Sequence, residues 1–302
     1  MSSHSYIENH KNKSIYININ GNLFVRPEAK ISVFDSGFLL GDGVWEGIRL
    51  HHSSLVFIED HMKRLYASAK GISLKIPFSK EFIINEILKT LKKNNMENNI
   101  HIRLVISRGN KITPYQNPNA NEGPLNFVII PEHKKTDSVI YKNGITIGRV
   151  PNIRPNGHIQ DPHFNTLSKL NCILASIEAN KLKYDEGIMN DLNGNISTCN
   201  STNLFFIKDN EVFTSSGEYC LNGITRSKVI EICKENNIKC YQQDFDFEFV
   251  KDCSEAFVTG TFAGVIPVSK IESRDIKSTQ SISFTNKIRK LYNLKIADYL
   301  NK

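Results

Sequence analysis

The segment Leu221-Asn-Gly-Ile-Thr-Arg226 has the residue types of a phosphate-binding helix start. Its glycine permits a tight turn, and its threonine stands just before the helical pattern Ser227 to Asn237. The first amides of a helix have no partner within the helix, and the positive end of the helix dipole favours an anion beside them. An ordinary capped helix has the same residue types at its start. The segment therefore raises the hypothesis of a phosphate-bearing cofactor, which other parts of the chain must support.

Two further segments could contact the same phosphate. Arg64 lies on a predicted helix, and a guanidinium can bind phosphate through two parallel hydrogen bonds. Thr261 lies in Thr259-Gly-Thr-Phe-Ala-Gly264, a glycine-flanked turn where a hydroxyl and backbone amides can point at an anion. The alternatives are a solvated surface arginine and a plain turn at a strand end. Together with Ile224 and Thr225, these two residues form a predicted phosphate cup.

The elements that must position these residues fall into two groups on either side of the polar segment Pro131 to Ser138. The first group is predicted to contain the strands Ser14 to Asn20, Asn22 to Val25, Val44 to Leu50, Leu55 to Ile58, Asn99 to Ser107 and Leu125 to Ile130, and the helices Glu59 to Ala69 and Glu81 to Asn94. The second group is predicted to contain the strands Gly144 to Val150, Glu186 to Asn190, Asn203 to Lys208, Glu211 to Thr214, Cys240 to Asp244 and Glu255 to Thr259, and the helices Leu167 to Leu182, Ser227 to Asn237 and Asn286 to Tyr299. We therefore expect a small N-terminal α/β domain (1–131), a linker (132–142) and a larger cofactor-binding domain (143–302).

Composition limits the class of protein. The 302 residues are 40% hydrophobic, which is enough for two α/β or α+β lobes with their own cores. The net charge of +7 comes from scattered lysines, which indicates a solvated basic surface instead of a nucleic-acid site. The six cysteines have no C-x-x-C pair and no zinc-finger spacing, so no metal site is expected. No apolar run is long enough to span a membrane, and Met1 to Tyr6 are polar, so we expect a cytoplasmic protein.

Four ordered motifs resemble the class IV aminotransferases, the fold type IV pyridoxal 5'-phosphate (PLP) enzymes. This family includes branched-chain and D-amino acid aminotransferases and aminodeoxychorismate lyase. The matching motifs run from Asp35 to Arg49, His61 to Ala69, Leu221 to Arg226 and Thr259 to Val268. The resemblance implies an α+β fold with a small N-terminal α/β lobe and a larger, β-barrel-like C-terminal lobe with helices. It also implies PLP as the cofactor and a homodimer as the assembly.

The resemblance assigns roles to particular residues. It implies that Arg64, Ile224, Thr225 and Thr261 form the phosphate cup. It places Trp45, where the family usually has phenylalanine or tyrosine, in the lining of the substrate pocket. The strand segment His101-Ile-Arg103 resembles the Tyr-Ile-Arg of the branched-chain type, whose arginine receives a substrate carboxylate. The alternatives are a core aromatic residue for Trp45 and a surface ion pair for Arg103.

The sequence departs from the family at the lysine that PLP enzymes need for the internal aldimine and the proton shuttle. Counted back without gaps from Ala175, the family segment Lys-Thr-Leu-Asn-Tyr-Leu falls on Asn165-Thr-Leu-Ser-Lys-Leu170, so Asn165 takes the lysine position. Lys169 follows four residues later and would lie on the same face if the helix already extends there. A one-turn deletion would put Lys169 at the usual position outright, and a solvated lysine without a chemical role is the other alternative. We predict Lys169 as the aldimine lysine.

A second departure concerns the acid that meets the pyridine nitrogen in the family, because Thr198 stands at its position. A hydroxyl can form a hydrogen bond with that nitrogen but cannot hold a proton there by charge. The leading hypothesis is a PLP-dependent aminotransferase-like enzyme for a small amino acid, branched-chain or similar. Thr198 keeps open a PLP-dependent lyase or eliminase at the same site. Asn165 keeps open a PLP-independent enzyme or a phosphate-ligand-binding protein.

Overall fold

The computed structural model describes residues 6–301, which form two compact units, each built around its own β-sheet. The N-terminal unit comprises Ile7–Lys135 and the return segment Phe164–Lys169, and the C-terminal unit comprises Thr136–His163 and the chain from Leu170 onward. The division after residue 135 falls inside the predicted linker. The return segment belongs to the N-terminal unit, which a single cut along the chain could not represent. The polar residues Met1 to Ser5, on which the expected location partly depends, lie outside the described residues.

The N-terminal unit contains a six-stranded sheet in which all neighbouring strands are antiparallel. The strands follow the spatial order Asn22–Val25, Tyr16–Ile19, Asn126–His133, Ile100–Ser107, Gly43–His51 and Ser54–Leu55. The helices are Ser36–Leu40, Ile58–Gly71 and Lys80–Lys93, with 3-10 turns at His10–Lys13, Arg26–Glu28 and Pro118–Ala120. The short strands are Asn110–Lys111, Asn121–Glu122, Tyr6–Ile7 and Lys135–Thr136.

The two faces of this sheet differ because successive side chains of a strand point to opposite sides. Even-numbered residues of the central strands, such as Ile48 and Ile102, are fully buried in the core with Met62 of the helix Ile58–Gly71. Odd-numbered residues of the same strands lie on the opposite face. The sheet therefore separates a packed core from a second face that remains partly accessible.

The predicted strand Leu55 to Ile58 is wrong, because strand pairing ends at Leu55 and a helix begins at Ile58. Phe57 takes a left-handed backbone conformation, with φ of 53°, and turns the chain into that helix. Two acidic residues, Glu59 and Asp60, follow in the first turn, where their negative charges interact favourably with the positive end of the helix dipole.

The C-terminal unit contains a nine-stranded mixed sheet. Eight strands follow the spatial order Ile196–Cys199, Glu186–Asn190, Ile145–Ile153, Gly264–Ile271, Glu255–Gly260, Asn203–Lys208, Glu211–Thr214 and Cys240–Gln242, and Arg274–Asp275 pairs with Gly264–Ile271. The helices are Val139–Asn143, Gly157–Gln160, Leu170–Lys181, Ile224–Glu235, Phe247–Lys251 and Phe284–Leu300, with a 3-10 turn at Lys277–Thr279. Among residues 6–301, no helix has both the length and the apolar character needed to cross a bilayer.

Several elements of this unit differ from the predictions. The strand Ile196–Cys199 was missed because it is short and mostly polar, although all four residues are buried. The strand Gly264–Ile271 was missed because glycine and proline in it indicate a turn. The helix predicted from Ser227 begins three residues earlier, at Ile224, so that Thr225 is its second residue.

Candidate active site

The start of the helix Ile224–Glu235 is built without a capping side chain. Its N-cap residue is Gly223, and no side chain accepts a hydrogen bond from the first turn as a cap. The amide of Gly223 donates to Asn203 Oδ1 at 3.2 Å, and a Cβ on this glycine would lie only 2.4 Å from that oxygen. Thr225 is buried. The hydrogen bond from Gly223 to Asn203 thus holds the start of the helix in place. The positive end of the helix dipole, at the Ile224 and Thr225 amides, favours the binding of an anion.

Thr261 lies in a three-residue hairpin loop in the same unit. The strands on either side, Glu255–Gly260 and Gly264–Ile271, pair antiparallel up to Gly260 opposite Gly264. The helix Ile224–Glu235 packs against the first of these strands. At the end of that strand, the hydroxyl oxygen of Thr259 is buried without a hydrogen-bond partner among the described residues. A phosphate oxygen bound in the predicted cup would supply the hydrogen-bond acceptor that this buried hydroxyl lacks.

Arg64, in the N-terminal unit, is held by a buried carboxylate. Its Nε donates to Glu46 Oε1 at 2.8 Å and its Nη2 donates to Glu46 Oε2 at 2.7 Å, which is a bidentate pair. His61 Nδ1 lies 2.8 Å from the same Oε2. Glu46 has 0% exposure, whereas the Arg64 side chain keeps 14%. The pair fixes the orientation of the guanidinium that the sequence assigns to phosphate.

Glu46, which orients Arg64, was not singled out from the sequence. Burial alone would raise the pKa of its carboxyl group, but the charge and hydrogen bonds of Arg64, together with His61, leave the pKa below its usual value of 4.5. Glu46 is therefore ionised at neutral pH. The sequence indicates its burial through its even-numbered position between Val44 and Ile48. A charged side chain on that face of the strand enters the core and needs partners there.

Asn165 lies in the return segment, which pairs with the strand Gly43–His51. The Trp45 amide donates to Asn165 O at 3.0 Å, and the Leu167 amide donates to Gly43 O at 2.9 Å. The Asn165 amide donates to Ser68 Oγ at 2.9 Å, and its Nδ2 donates to Trp45 O at 2.7 Å. These bonds fix both the backbone and the side chain of Asn165.

The side-chain oxygen of Asn165 has no hydrogen-bond partner within residues 6–301, although the residue is only 1% exposed. The orientation of the amide is determined, because the group facing the Trp45 carbonyl must be the donor. A carboxamide nitrogen is not nucleophilic and cannot take the place of a lysine amine. Asn165 thus leaves a buried acceptor without a partner among the described residues.

The expected helical relation between Asn165 and Lys169 is absent, because the helix predicted from Leu167 begins at Leu170. The Asn165 carbonyl accepts from the Trp45 amide of the strand Gly43–His51 instead of from a later amide of its own segment, so the chain pairs with this strand and does not begin a helical turn there. Lys169 nevertheless lies close to Trp45, with its Nζ 5.6 Å from the centre of the indole ring. Lys169 and Asn165 therefore both border the same tryptophan without sharing a helix face.

Trp45 and Arg103 lie side by side on the face of the sheet opposite the core. They belong to neighbouring strands, in which Trp45 pairs with Val105 and Gly47 pairs with Arg103. The Arg103 guanidinium lies 3.8 Å from the centre of the Trp45 ring, and the indole Nε1 donates to Thr166 O at 3.1 Å. The structure thus brings together Trp45, Arg103 and Lys169, three residues that the sequence analysis singled out separately.

Thr198 lies on the buried strand Ile196–Cys199 and is 6% exposed. Its Oγ1 donates to the Thr202 carbonyl oxygen at 2.8 Å, so its single hydroxyl proton is not available to a second acceptor. The Thr202 hydroxyl donates in turn to Glu186 Oε2 at 2.6 Å. Burial, followed by the negative charge of Glu186, raises the pKa of the adjacent Cys199 thiol well above its usual value, which fits a packed cysteine instead of a nucleophile.

Residues 43–271 match the family model described as amino-transferase class IV. The chain is 35% identical to branched-chain-amino-acid aminotransferase-like protein 2 of Arabidopsis thaliana, over 88% of the chain and 48% of that protein. It is 33% identical to a putative branched-chain-amino-acid aminotransferase of Methanocaldococcus jannaschii, over 91% of the chain and 94% of that protein. The structure matches the T.th. branched-chain amino acid aminotransferase solved with pyridoxamine 5'-phosphate, with 26% identity, a TM-score of 0.86 and 94% coverage of both chains. The chain spans about half the length of the Arabidopsis relative.

Proposed function

Because the chain belongs to the class IV aminotransferase family, we propose that it is a PLP-dependent aminotransferase for a small amino acid, branched-chain or similar. The observation that carries the proposal is the start of the helix Ile224–Glu235, which lacks a capping side chain; this helix packs against the strand that leads into the Thr261 loop. A solved relative was determined with pyridoxamine 5'-phosphate, which supports a cofactor of this type.

The residues of the predicted cup fit a phosphate. Ile224 and Thr225 would hold it through the helix start and Thr261 through its hairpin loop, and the buried hydroxyl of Thr259 lacks a hydrogen-bond partner in the described part of the chain. Arg64 is proposed as a further phosphate ligand, with its orientation set by Glu46. PLP supplies a reactive carbonyl and an electron-withdrawing ring that stabilises a carbanion at the substrate α-carbon.

We propose Lys169 as the amine that holds the cofactor and moves the proton of the substrate α-carbon. Asn165 cannot do so, because its amide nitrogen is not nucleophilic and already donates to Trp45 O. The Arg103 guanidinium and Lys169 Nζ lie 3.8 Å and 5.6 Å from the centre of the Trp45 ring, so the proposed amine borders the residues that are proposed to form the substrate pocket.

Thr198 is proposed to meet the cofactor's ring nitrogen and Arg103 the substrate carboxylate, with Trp45 lining the pocket. Since the Thr198 proton is donated to Thr202, this hydroxyl can only accept a hydrogen bond at the ring nitrogen. A neutral acceptor stabilises a protonated ring nitrogen less than a carboxylate does. This feature is the reason to retain a PLP-dependent lyase or eliminase as the second candidate.

An assay with and without an added keto acid tests the proposed reaction. We expect a keto acid product from a branched-chain amino acid only when an amino acceptor is present. Lys169→Ala should lower this rate by about 10²- to 10⁴-fold, the usual contribution of a positioned acid–base group. The surface variant Lys181→Ala serves as the control and should stay near the parent rate. Release of ammonia without an acceptor would contradict transamination and favour elimination.

We further propose that two copies of the chain form a homodimer, as the family resemblance implies. The helix Leu170–Lys181 supports this proposal, because Leu170, Ile173, Leu174 and Ile177 are exposed at the spacing of one helix face. An exposed apolar stripe of this kind is typical of an interaction surface. The cytoplasmic location stays a prediction from the sequence.

Replacing Ile173 by glutamate should convert the dimer to monomers. The interface would then bury two unpaired carboxylates, one from each copy, and the cost of burying these charges exceeds the apolar contact that is lost. Light scattering coupled to size-exclusion chromatography would report about half the parent mass. Lys181→Glu, at the end of the same helix, should leave the mass unchanged. A monomeric parent, or an Ile173→Glu variant of unchanged mass, would contradict the proposed interface.

A further inference from the structure

The C-terminal unit contains a cavity of about 430 Å³ beside the helix Phe284–Leu300. Its lining includes two cationic side chains, two amides, an aromatic ring and one residue of the Thr261 hairpin loop: Arg289, Lys290, Asn286, Asn293, Tyr141 and Ala263. The volume lies within the range of about 300–1,000 Å³ that small-molecule sites occupy. None of these residues was singled out by the sequence analysis.

The helix presents its polar lining at a regular spacing. Asn286, Arg289, Lys290 and Asn293 follow one another at intervals of three, one and three residues, which places them on one helix face. Each of these four side chains carries hydrogen-bond donors. One side of the cavity is therefore a surface of donors with two positive charges.

The two cations have no acidic partners in the part of the chain that the structure describes. Within residues 6–301, neither Arg289 nor Lys290 has a carboxylate at ion-pair distance. Lys295, on the same helix but outside the cavity, is paired with Glu231 and Glu235. The positive charge of Lys295 is thus neutralised by neighbouring carboxylates. The charges of Arg289 and Lys290, which line the cavity, have no carboxylate partner among residues 6–301.

The cavity wall is held in position before any ligand enters. The Arg289 guanidinium lies 5.0 Å from the centre of the Tyr141 ring, which supports the cation from one side and leaves the N–H groups along its edge directed outward. The Tyr141 hydroxyl donates to Ala263 O at 2.7 Å, and Asn286 Nδ2 donates to Gln280 O at 2.8 Å. A preformed wall lowers the entropic cost of binding.

We propose that this cavity binds a small molecule bearing a doubly negative oxygen group, either a phosphate monoester or a dicarboxylate. Arg289 binds the group through paired N–H donors, and Lys290 adds the second charge. The amides of Asn286 and Asn293 serve the remaining polar atoms of the ligand. The inference does not depend on the proposed function, because it rests on the charges and geometry of this cavity.

Calorimetric titration of the full chain with inorganic phosphate and with glutarate tests the inference. The protein is first saturated with PLP, so that a cofactor phosphate site does not contribute. We expect saturable binding of at least one probe, and the probe that binds distinguishes phosphate from dicarboxylate recognition. Arg289→Gln should weaken the binding of that probe by at least about tenfold, because hydrogen bonds to a charged group are stronger than those between neutral groups.

Lys287→Gln is the matched control, because it removes one positive charge from the same helix outside the cavity lining. It should leave the affinity within about twofold of the parent, as expected for an exposed charge. Arg289→Lys keeps the charge without the planar fork and should weaken binding less than Arg289→Gln, which separates ligand contact from a loss of folding. The proposal would be overturned if neither probe showed saturable binding, or if Arg289→Gln and Lys287→Gln lost the same affinity. If PLP does not bind, a loss of probe affinity in Arg289→Gln still supports the proposal, and an unchanged affinity still contradicts it.

Discussion

Asn165→Lys is expected to carry a pyridoxyl group at residue 165 after incubation with PLP and reduction with borohydride. In the parent, residue 165 offers only an amide, so the label is expected on Lys169. The change places an amine at the residue that aligns with the family's lysine when the segment is counted back without gaps, and the structure holds the backbone there through Ser68 Oγ and the Trp45 amide. Because these bonds involve the backbone of residue 165, we expect them to persist in the variant.

The new lysine should also be reactive, because its position is buried. Asn165 is only 1% exposed, and burial disfavours the charged form of an amine and lowers its pKa. Loss of the Nδ2 bond to Trp45 O should lower the unfolding free energy by about 1–3 kcal/mol. Ser168→Lys is the matched control, because it adds a lysine to the same return segment at an exposed position. Label at residue 168 as strong as at residue 165 would contradict a specific site.

Glu46→Ala is expected to lower the free energy of unfolding by about 3–5 kcal/mol, which is the usual cost of removing one partner from a buried ion pair. The variant leaves Arg64 and His61 facing an empty position in the core of the N-terminal unit. Urea denaturation followed by circular dichroism measures the change. Glu97→Ala, which removes an exposed carboxylate of the same unit, should change the free energy by less than about 0.5 kcal/mol. A similar effect of the two substitutions would show that the pair does not stabilise the fold.

The same carboxylate should make stability depend on pH. Its pKa in the folded protein lies below the usual 4.5, so folding favours the ionised form. This contribution is fully present above pH 4.5 and is lost as the pH falls through the lower folded pKa. The difference in unfolding free energy between the parent and Glu46→Gln should therefore shrink as the pH falls below 4.5. A difference that stays constant or grows on acidification would contradict this assignment.

Local patterns predicted much of the C-terminal unit. The strands Glu186–Asn190, Asn203–Lys208 and Glu211–Thr214 have the predicted bounds. The last two are joined by Asp209 and Asn210, both with positive φ, which is the residue choice of a tight hairpin turn. The class IV aminotransferase family, inferred from four motifs, is confirmed by the match over residues 43–271.

Features that depend on distant residues could not be predicted in this way. The return segment looks helical on its own, but its amides are taken by Gly43 O and Ser68 Oγ, which the local pattern does not contain. Arg64 has the appearance of a surface arginine in the sequence, and only the structure shows the bidentate contact with Glu46 from another element. The cavity beside Arg289 likewise needs Tyr141, from a helix far away in the chain, to close it.

The central claim, that Lys169 is the amine that holds the cofactor, is tested most directly by locating the bound cofactor. The parent protein and Lys169→Ala are incubated with PLP, reduced with borohydride and digested, and the modified peptide is identified by mass spectrometry. The account predicts a pyridoxyl group on Lys169 in the parent and no modified lysine in the variant. An unmodified parent, or a label on a different lysine that persists in Lys169→Ala, would contradict it.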